Sequence, residues 1–169
     1  NTRIQVEHPV TEEVWGIDLV RQQILVAAGE PLPDQADAFT PRGHAIEVRV
    51  NAEDPFNDFR PSPGRITGLY LPGGPGIRID SHIRAGYTIP PYYDSMVAKI
   101  IAHGDTRGHA ISRLARALDE FRIEGIKTTV PIASLILKDP DFRRGRYSTA
   151  FLEKLLAKTK TLLTAAGEN

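Results

Sequence analysis

The strictest two-residue alternation in this chain runs over residues 44–53. In an extended segment His44, Ile46, Val48, Val50 and Ala52 share one face, and Ala45, Glu47, Arg49, Asn51 and Glu53 share the other. A strand with one apolar and one polar face belongs to a half-buried antiparallel sheet. Asp54-Pro55 ends it, because proline has no amide to give to a ladder. Residues 96–102 are apolar nearly throughout and read as a strand buried on both faces. Residues 66–71 and 77–81 are expected to pair as a hairpin around the loop Pro72-Gly73-Gly74-Pro75-Gly76.

Helical spacing flanks this strand-rich centre. Over residues 11–28, Val14, Ile17, Val20, Ile24 and Ala28 mark one buried face. Gly16 weakens the first part and Asp18 can cap a second start, so a break is expected there. Gly29, Pro31 and Pro33 stop the helix, and residues 30–43 read as a linker. Asp105 or Thr106 caps a helix with the stripe Ile111, Leu114, Ala115 and Leu118. A short strand near residues 121–123 and helices near 129–137 and 149–157 follow, and residues 159–169 are expected to fray. Strands in a central run with helices at both ends make an α+β fold on an antiparallel sheet.

Composition narrows the function classes. Lys+Arg and Asp+Glu both number 21, so no net field draws nucleic acid or an acidic membrane. The absence of cysteine excludes disulfides, thiolate catalysis and cysteine-based zinc sites. No run approaches the ~18 apolar residues of a membrane helix. The five histidines show no metal-ligand spacing, and the Gly-rich loop at 72–76 has two prolines and no following lysine, which argues against a phosphate cradle. Tyr92-Tyr93 reads as core or lid, and Arg143-Arg144-Gly145-Arg146 as a solvated basic loop.

The chemistry concentrates at the start. If residues 1–7 are extended, Asn1, Arg3, Gln5 and Glu7 form one row: amide, guanidinium, amide and carboxylate. An ordinary strand shows water-facing charges too, so the row takes its meaning from its neighbours. Asn1-Thr2-Arg3-Ile4-Gln5-Val6-Glu7-His8-Pro9-Val10-Thr11-Glu12 is followed by Glu47-Val48-Arg49-Val50-Asn51-Ala52-Glu53-Asp54-Pro55 and by Pro91-Tyr92-Tyr93-Asp94-Ser95-Met96. Gly125-Ile126-Lys127-Thr128 comes next. In this order and spacing the stretches resemble the biotin carboxylase family, from Asn1 to about Leu156.

The resemblance implies an antiparallel β barrel-sandwich-like unit with flanking helices. Residues 1–33 are then the tail of an ATP-grasp domain, its last active-site strand and helix. Residues 34–158 form the biotin carboxylase C-terminal domain, and 159–169 a flexible tail. The family carboxylates biotin on its carrier protein, using bicarbonate and ATP with Mg2+ or Mn2+. That chemistry needs a guanidinium for an oxyanion, a carboxylate base and a second cation for the enolate-like biotin.

By resemblance Arg3 binds bicarbonate, helped by Gln5 and the main-chain amide of Val6, and Glu7 is the general base. Arg49 is the biotin-stabilising arginine, with Glu47 and Asp94 as orienting candidates. Asp94 reads equally as a turn carboxylate serving backbone amides. A planar fork suits a planar oxyanion, so Arg3→Lys is not conservative. In a straight strand Arg3 and Glu7 sit about 13 Å apart at Cα, so a bend or bulge before Pro9 is expected. Asn1 matches the last metal ligand of an incomplete set, and an amide alone is a poor magnesium site.

The implied partners are the rest of the biotin carboxylase chain, the biotin carboxyl carrier protein, a carboxyltransferase and a second copy, in the cytoplasm. Fatty-acid synthesis through acetyl-CoA carboxylase is the commonest setting. Two other classes compete: a non-catalytic dimerisation or interaction module, with Ile77-Arg78-Ile79 as a contact, and a free-standing carbohydrate- or peptide-binding β domain. No tightly bound cofactor is expected on the chain alone, which carries no nucleotide-gripping glycine loop, phosphate-binding lysine or acidic metal pair. The isolated 169-residue chain is therefore expected to show no bicarbonate-dependent ATP cleavage; turnover above a no-protein blank would refute this.

Overall fold

The computed structural model describes residues 3–32 and 40–166, with side chains described to Thr159. Strands β1 (His44–Asn51), β2 (Glu53–Asp54), β3 (Arg60–Pro61), β4 (Gly64–Arg65), β5 (Gly68–Tyr70), β6 (Ile77–Ser81), β7 (Thr88–Ile89), β8 (Met96–Gly104) and β9 (Arg122–Glu124) alternate with helices at both ends. The helices are α1 (His8–Trp15), α2 (Leu19–Ala27), α3 (Arg107–Glu120), α4 (Val130–Lys138), α5 (Pro140–Arg143) and α6 (Phe151–Ala166). The α+β mixture and the antiparallel pairing agree with the sequence reading. The barrel-sandwich form does not appear: among the described residues there is one three-stranded sheet, ordered β1-β8-β6, and three two-stranded ladders, none of them closed.

The three-stranded sheet carries the architecture. β8 lies in the middle, antiparallel to β1 from His44↔Gly104 to Val50↔Ala98 and to β6 from Ile77↔Ala102 to Ser81↔Ala98. This register puts Ile46, Val48, Val50, Ala98, Ile100 and Ile79 on one face and Glu47, Arg49, Lys99, Asp80 and Arg78 on the other. The apolar face packs on α3 through Ile111, Leu114, Ala117 and Leu118, forming one buried cluster. Thr106 caps α3, its hydroxyl accepting from the His109 amide at 3.2 Å.

The expected hairpin of residues 66–71 with 77–81 does not form. β5 pairs with β9, Leu69 opposite Ile123, while β6 joins β8. β8 is buried along most of its length, so its amides and carbonyls need ladder partners on both sides. The loop between β5 and β6 has two prolines and few donors with which to close a hairpin. Its Gly76 carbonyl instead accepts from the His103 amide at 2.8 Å.

The N-terminal segment also departs from expectation. Residues 3–7 are not a strand, and α1 begins at His8 rather than at residue 11. Pro9 sits in the first helical turn, where a missing amide costs nothing. The chain turns over Gln5–His8, with the His8 amide donating to Gln5 O at 3.2 Å and Val10 to Glu7 O at 3.0 Å. The break between α1 and α2 falls where the sequence placed it: Gly16 is left-handed at φ 66, and Asp18 caps α2 through the Arg21 amide at 2.7 Å. α5 was not anticipated, and α6 runs past Thr159 to Ala166.

Gly125 and Gly29 share φ 92, but a Cβ on Gly125 would lie 2.1 Å from Arg65 O, whereas one on Gly29 meets nothing within 4 Å. Gly29→Ala should cost about 1–2 kcal/mol of backbone strain. Gly125→Ala should cost a further ~1–3 kcal/mol, because the β4–β9 region must shift. Urea unfolding of the two variants checks the difference; equal losses would mean that the close approach to Arg65 carries no energy.

Candidate functional site

The charged face of the sheet is where the N-terminal segment docks. α1 lies over β1 and β8, and a chain of ionic contacts holds it there. Arg78 on β6 donates from Nε and Nη2 to the two carboxylate oxygens of Asp80 at 2.9 and 3.0 Å, and from Nη1 to Glu12 Oε2 on α1 at 2.7 Å. The other oxygen of Glu12, a residue only 9% exposed, accepts the first amide of α2 from Leu19 at 2.9 Å. Asp80 also meets Lys99 Nζ at 3.3 Å, and Lys99 reaches Val6 O at 3.4 Å. Its hydrogen bonds to Asp80 and Glu12 hold the Arg78 guanidinium above its ordinary pKa, against the opposing effect of burial. Burial pushes Asp80 up, but Arg78 and then Lys99 outweigh it and leave its carboxyl below the usual range.

At the β1 end, Arg49 Nη2 donates to Glu7 Oε2 at 2.9 Å, across 42 residues of chain. Both side chains are about half exposed, 53% and 54%. The Glu7 main-chain amide first, and the Arg49 guanidinium second, hold the Glu7 carboxyl below the ordinary value. Glu47, two residues before Arg49, behaves oppositely: burial raises it, with Lys99 and Arg49 opposing. Its Oε2 is buried without a hydrogen-bond partner. The Arg49 backbone is fixed separately, since the Thr129 hydroxyl donates to Arg49 O at 3.1 Å and accepts from the Asn51 amide at 3.0 Å, beside the β1 bulge.

Two clefts meet at Glu7. One, about 740 Å³, runs between the Arg3–His8 segment and α2, with Gln22 and Val26 on its far wall. The other, about 510 Å³, follows β1 past Glu47 and Arg49 to Arg107 and Tyr147. Arg3, Gln5 and Glu7 thus line one cleft and Glu7 and Arg49 the other. The single strand face expected for the first three does not exist; the turn before α1 gathers them instead. Asp94 is not joined to Arg49. Its carboxylate accepts from the Met96 amide at 2.7 Å and opens β8, the backbone-serving role that was the other reading. Asn1 lies outside the described residues. Among the described residues no group of three His, Cys, Asp or Glu side chains is placed to hold a metal ion.

Sequence reasoning passed over Lys99 and Thr129, and gave Arg78 only as part of a dimer contact. Lys99 was legible as the lone charge in an apolar strand, and Arg78 and Asp80 as an i, i+2 pair of opposite charge on one strand face. Nothing local marks Thr129, whose contacts come from the β1 bulge.

Residues 47–154 match the family model for the biotin carboxylase C-terminal domain, and residues 1–35 match that for the carbamoyl-phosphate synthase L chain, ATP binding domain. The chain belongs to the biotin carboxylase C-terminal domain family. It is 54% identical to a biotin carboxylase of Nostoc sp. over 92% of its length, and 53% identical to that of Haemophilus influenzae over 92%. In each case it spans 35% of the relative, so it covers about a third of these curated proteins. Among solved structures it resembles the biotin carboxylase domain dimer of the Hydrogenobacter thermophilus 2-oxoglutarate carboxylase, in complex with MgADP, ADP and bicarbonate. The TM-score is 0.89 at 46% identity, covering 92% of this chain and 35% of that one. A Campylobacter jejuni biotin carboxylase matches at TM-score 0.86 and 44% identity, over 91% of this chain and 34% of that one.

The two glutamates of this site should separate in a carbon-detected NMR titration, Glu7 below the ordinary carboxylate range and Glu47 above it. Arg49→Met should move Glu7 upward. With Glu7 depressed, its contribution to stability is present above the unfolded value and lost as pH falls through the folded one. With Glu47 raised, the contribution is present below the unfolded value and lost as pH rises through the folded one. A Glu7 midpoint at or above that of Glu47 would contradict the described geometry.

Proposed function

We propose that this chain supplies the bicarbonate- and biotin-facing part of an ATP-dependent biotin carboxylase, in a longer protein of the length of its relatives. The observation that carries this reading is the 2.9 Å contact of Arg49 with Glu7. It joins the two motifs that match the family's general base and its biotin-stabilising arginine, at the meeting of two open clefts. The Arg3 guanidinium and the Gln5 amide hold the bicarbonate oxyanion, a task for fixed N–H donors. Glu7, ionised at neutral pH, takes the bicarbonate proton, and the freed oxygen attacks the terminal phosphoryl group of ATP, forming an O–P bond as ADP leaves. The carboxyphosphate so formed breaks down to CO2 and phosphate beside biotin; the released phosphate takes the ureido N–H proton, the ureido oxygen becomes anionic, and the nitrogen bonds to the CO2 carbon. Arg49 is the cation for that oxygen. In the longer protein Mg2+ or Mn2+ would neutralise the charge on the ATP phosphates and polarise the transferred phosphoryl group.

The same reading assigns the partners. Biotin arrives on its carrier protein, and a separate carboxyltransferase takes the carboxyl group onward, in the cytoplasm. A homodimer is part of the proposal, supported by the dimeric biotin carboxylase domain among the structural neighbours. β6 lies at an edge of the three-stranded sheet, so Ile77-Arg78-Ile79 remains the contact of choice. Residues 1–33 as the end of an ATP-grasp domain and 34–158 as the following domain belong to this reading too, supported by the two family models.

The test is Arg49→Gln in the full-length protein. Carboxylation of biotin should fall by about 100-fold or more, the usual loss when one preorganised oxyanion donor is removed, with an unchanged melting temperature. Undiminished carboxylation would remove Arg49 from the site and the reading with it.

A further inference from the structure

Residues 97–102 in β8 are apolar at every position but one. The exception is Lys99, in the middle of the central strand, with its side chain only 13% exposed. A buried ammonium costs several kcal/mol before any partner is counted, and an aliphatic residue would suit a central strand better. The register sets Lys99 directly opposite Arg49 on β1, where like charges repel, and opposite Asp80 on β6.

The contacts of Lys99 show what offsets that cost. Asp80 lies 3.3 Å away, directly opposite on β6, but it is shared with Arg78, which grips both of its oxygens. The contact with Val6 O at 3.4 Å is different. Val6 stands 93 residues away in the turn that leads into α1, and Lys99 is what ties its carbonyl to the sheet. The Val6 carbonyl and the Glu7 amide belong to one planar peptide group. Fixing the carbonyl therefore fixes the direction of the Glu7 N–H, which is the first influence on the Glu7 carboxylate.

We propose that Lys99 is a positioning residue: by holding the Val6–Glu7 peptide against the charged face of the sheet, it sets the turn that presents Gln5 and Glu7 to bicarbonate. This rests on the carboxylase reading above for its ligand, while the positioning of the turn stands on the geometry alone. Lys99 touches no reacting atom and acts through the main chain of Val6.

The experiment uses the full-length protein with Lys99→Met and Lys99→Arg, and two readouts. In bicarbonate-dependent ADP formation, Lys99→Met should raise the KM for bicarbonate about tenfold, a typical loss for one charge-assisted contact, with kcat within about threefold. Lys99→Arg, which keeps a cation able to reach the carbonyl, should recover most of the KM. In amide hydrogen exchange, Lys99→Met should speed exchange over residues 5–8 while β8 and α3 keep their protection. An unchanged KM with unchanged exchange over residues 5–8 would overturn the proposal. So would a Lys99→Met protein that fails to fold or loses protection throughout, which would assign the side chain to the fold instead. If the wild-type protein shows no bicarbonate-dependent ADP formation, the carboxylase reading fails and takes the bicarbonate role with it. Hydrogen exchange then still decides whether Lys99 sets the turn.

Discussion

One guanidinium organises this molecule. Arg78 uses Nε and Nη2 to grip Asp80 on its own strand and Nη1 to grip Glu12 on α1. Through Glu12 it also steadies the first turn of α2, and through Asp80 it orients Lys99. The clamp adds direction to the apolar packing at this contact, where Pro9 of α1 is fully buried and Ile101 of β8 is buried on the same face as Glu47 and Arg78. A bidentate fork suits the task, since two parallel N–H···O bonds fix direction as well as distance. Most hydrophobic packing is on the other face, where α3 closes the core.

The division between the two faces explains how a small sheet carries a site at all. The apolar face makes the sheet rigid, and the charged face inherits that rigidity. Five ionisable groups from three neighbouring strands point the same way: Glu47 and Arg49 from β1, Lys99 from β8, Asp80 and Arg78 from β6. Three are cations and two are carboxylates, so the face needs carboxylates from elsewhere. α1 and its preceding turn bring them as Glu12 and Glu7. Docking of the N-terminal segment thus combines electrostatic matching with the burial of Pro9, and the motif that begins the chain is complete only against strands that come 40 to 100 residues later.

Much of this was legible in the amino-acid order. The alternation over residues 44–53 produced β1 with its apolar and polar faces, and the apolar run over 96–102 produced a strand buried on both sides. Gly16 and Asp18 marked the helix break, and Thr106 the start of α3. What failed were the readings that needed to know a neighbour. The segments at 66–71 and 77–81 looked like each other's partners because they are adjacent in sequence, yet β6 is taken by β8 and β5 by β9. The N-terminal alternation looked like a strand because its polar and apolar residues take turns, whereas the fixed φ and missing amide of Pro9 suit the helical first turn that forms there. Of the two readings of Asp94, the one that oriented Arg49 gives way to the turn carboxylate serving the backbone of β8.

The ionic face is arranged so that its two ends differ in how easily they can be opened. At the Arg78 end every carboxylate is matched: Glu12 is 9% exposed and Asp80 is held at both oxygens, so water has little access with which to compete. At the Arg49 end a single contact joins two side chains that are half in water. An exposed pair of that kind is worth little in stability, so separating Glu7 from Arg49 costs far less than pulling Glu12 from Arg78. Beside it Glu47 keeps one buried carboxylate oxygen without a partner, and burial raises its pKa. The strong end therefore holds the N-terminal segment in place, while the weak end leaves one carboxylate and one guanidinium free to exchange partners without loosening the fold. Under the carboxylase reading those are the two groups that must let go of each other, Glu7 to take a proton and Arg49 to meet an anion.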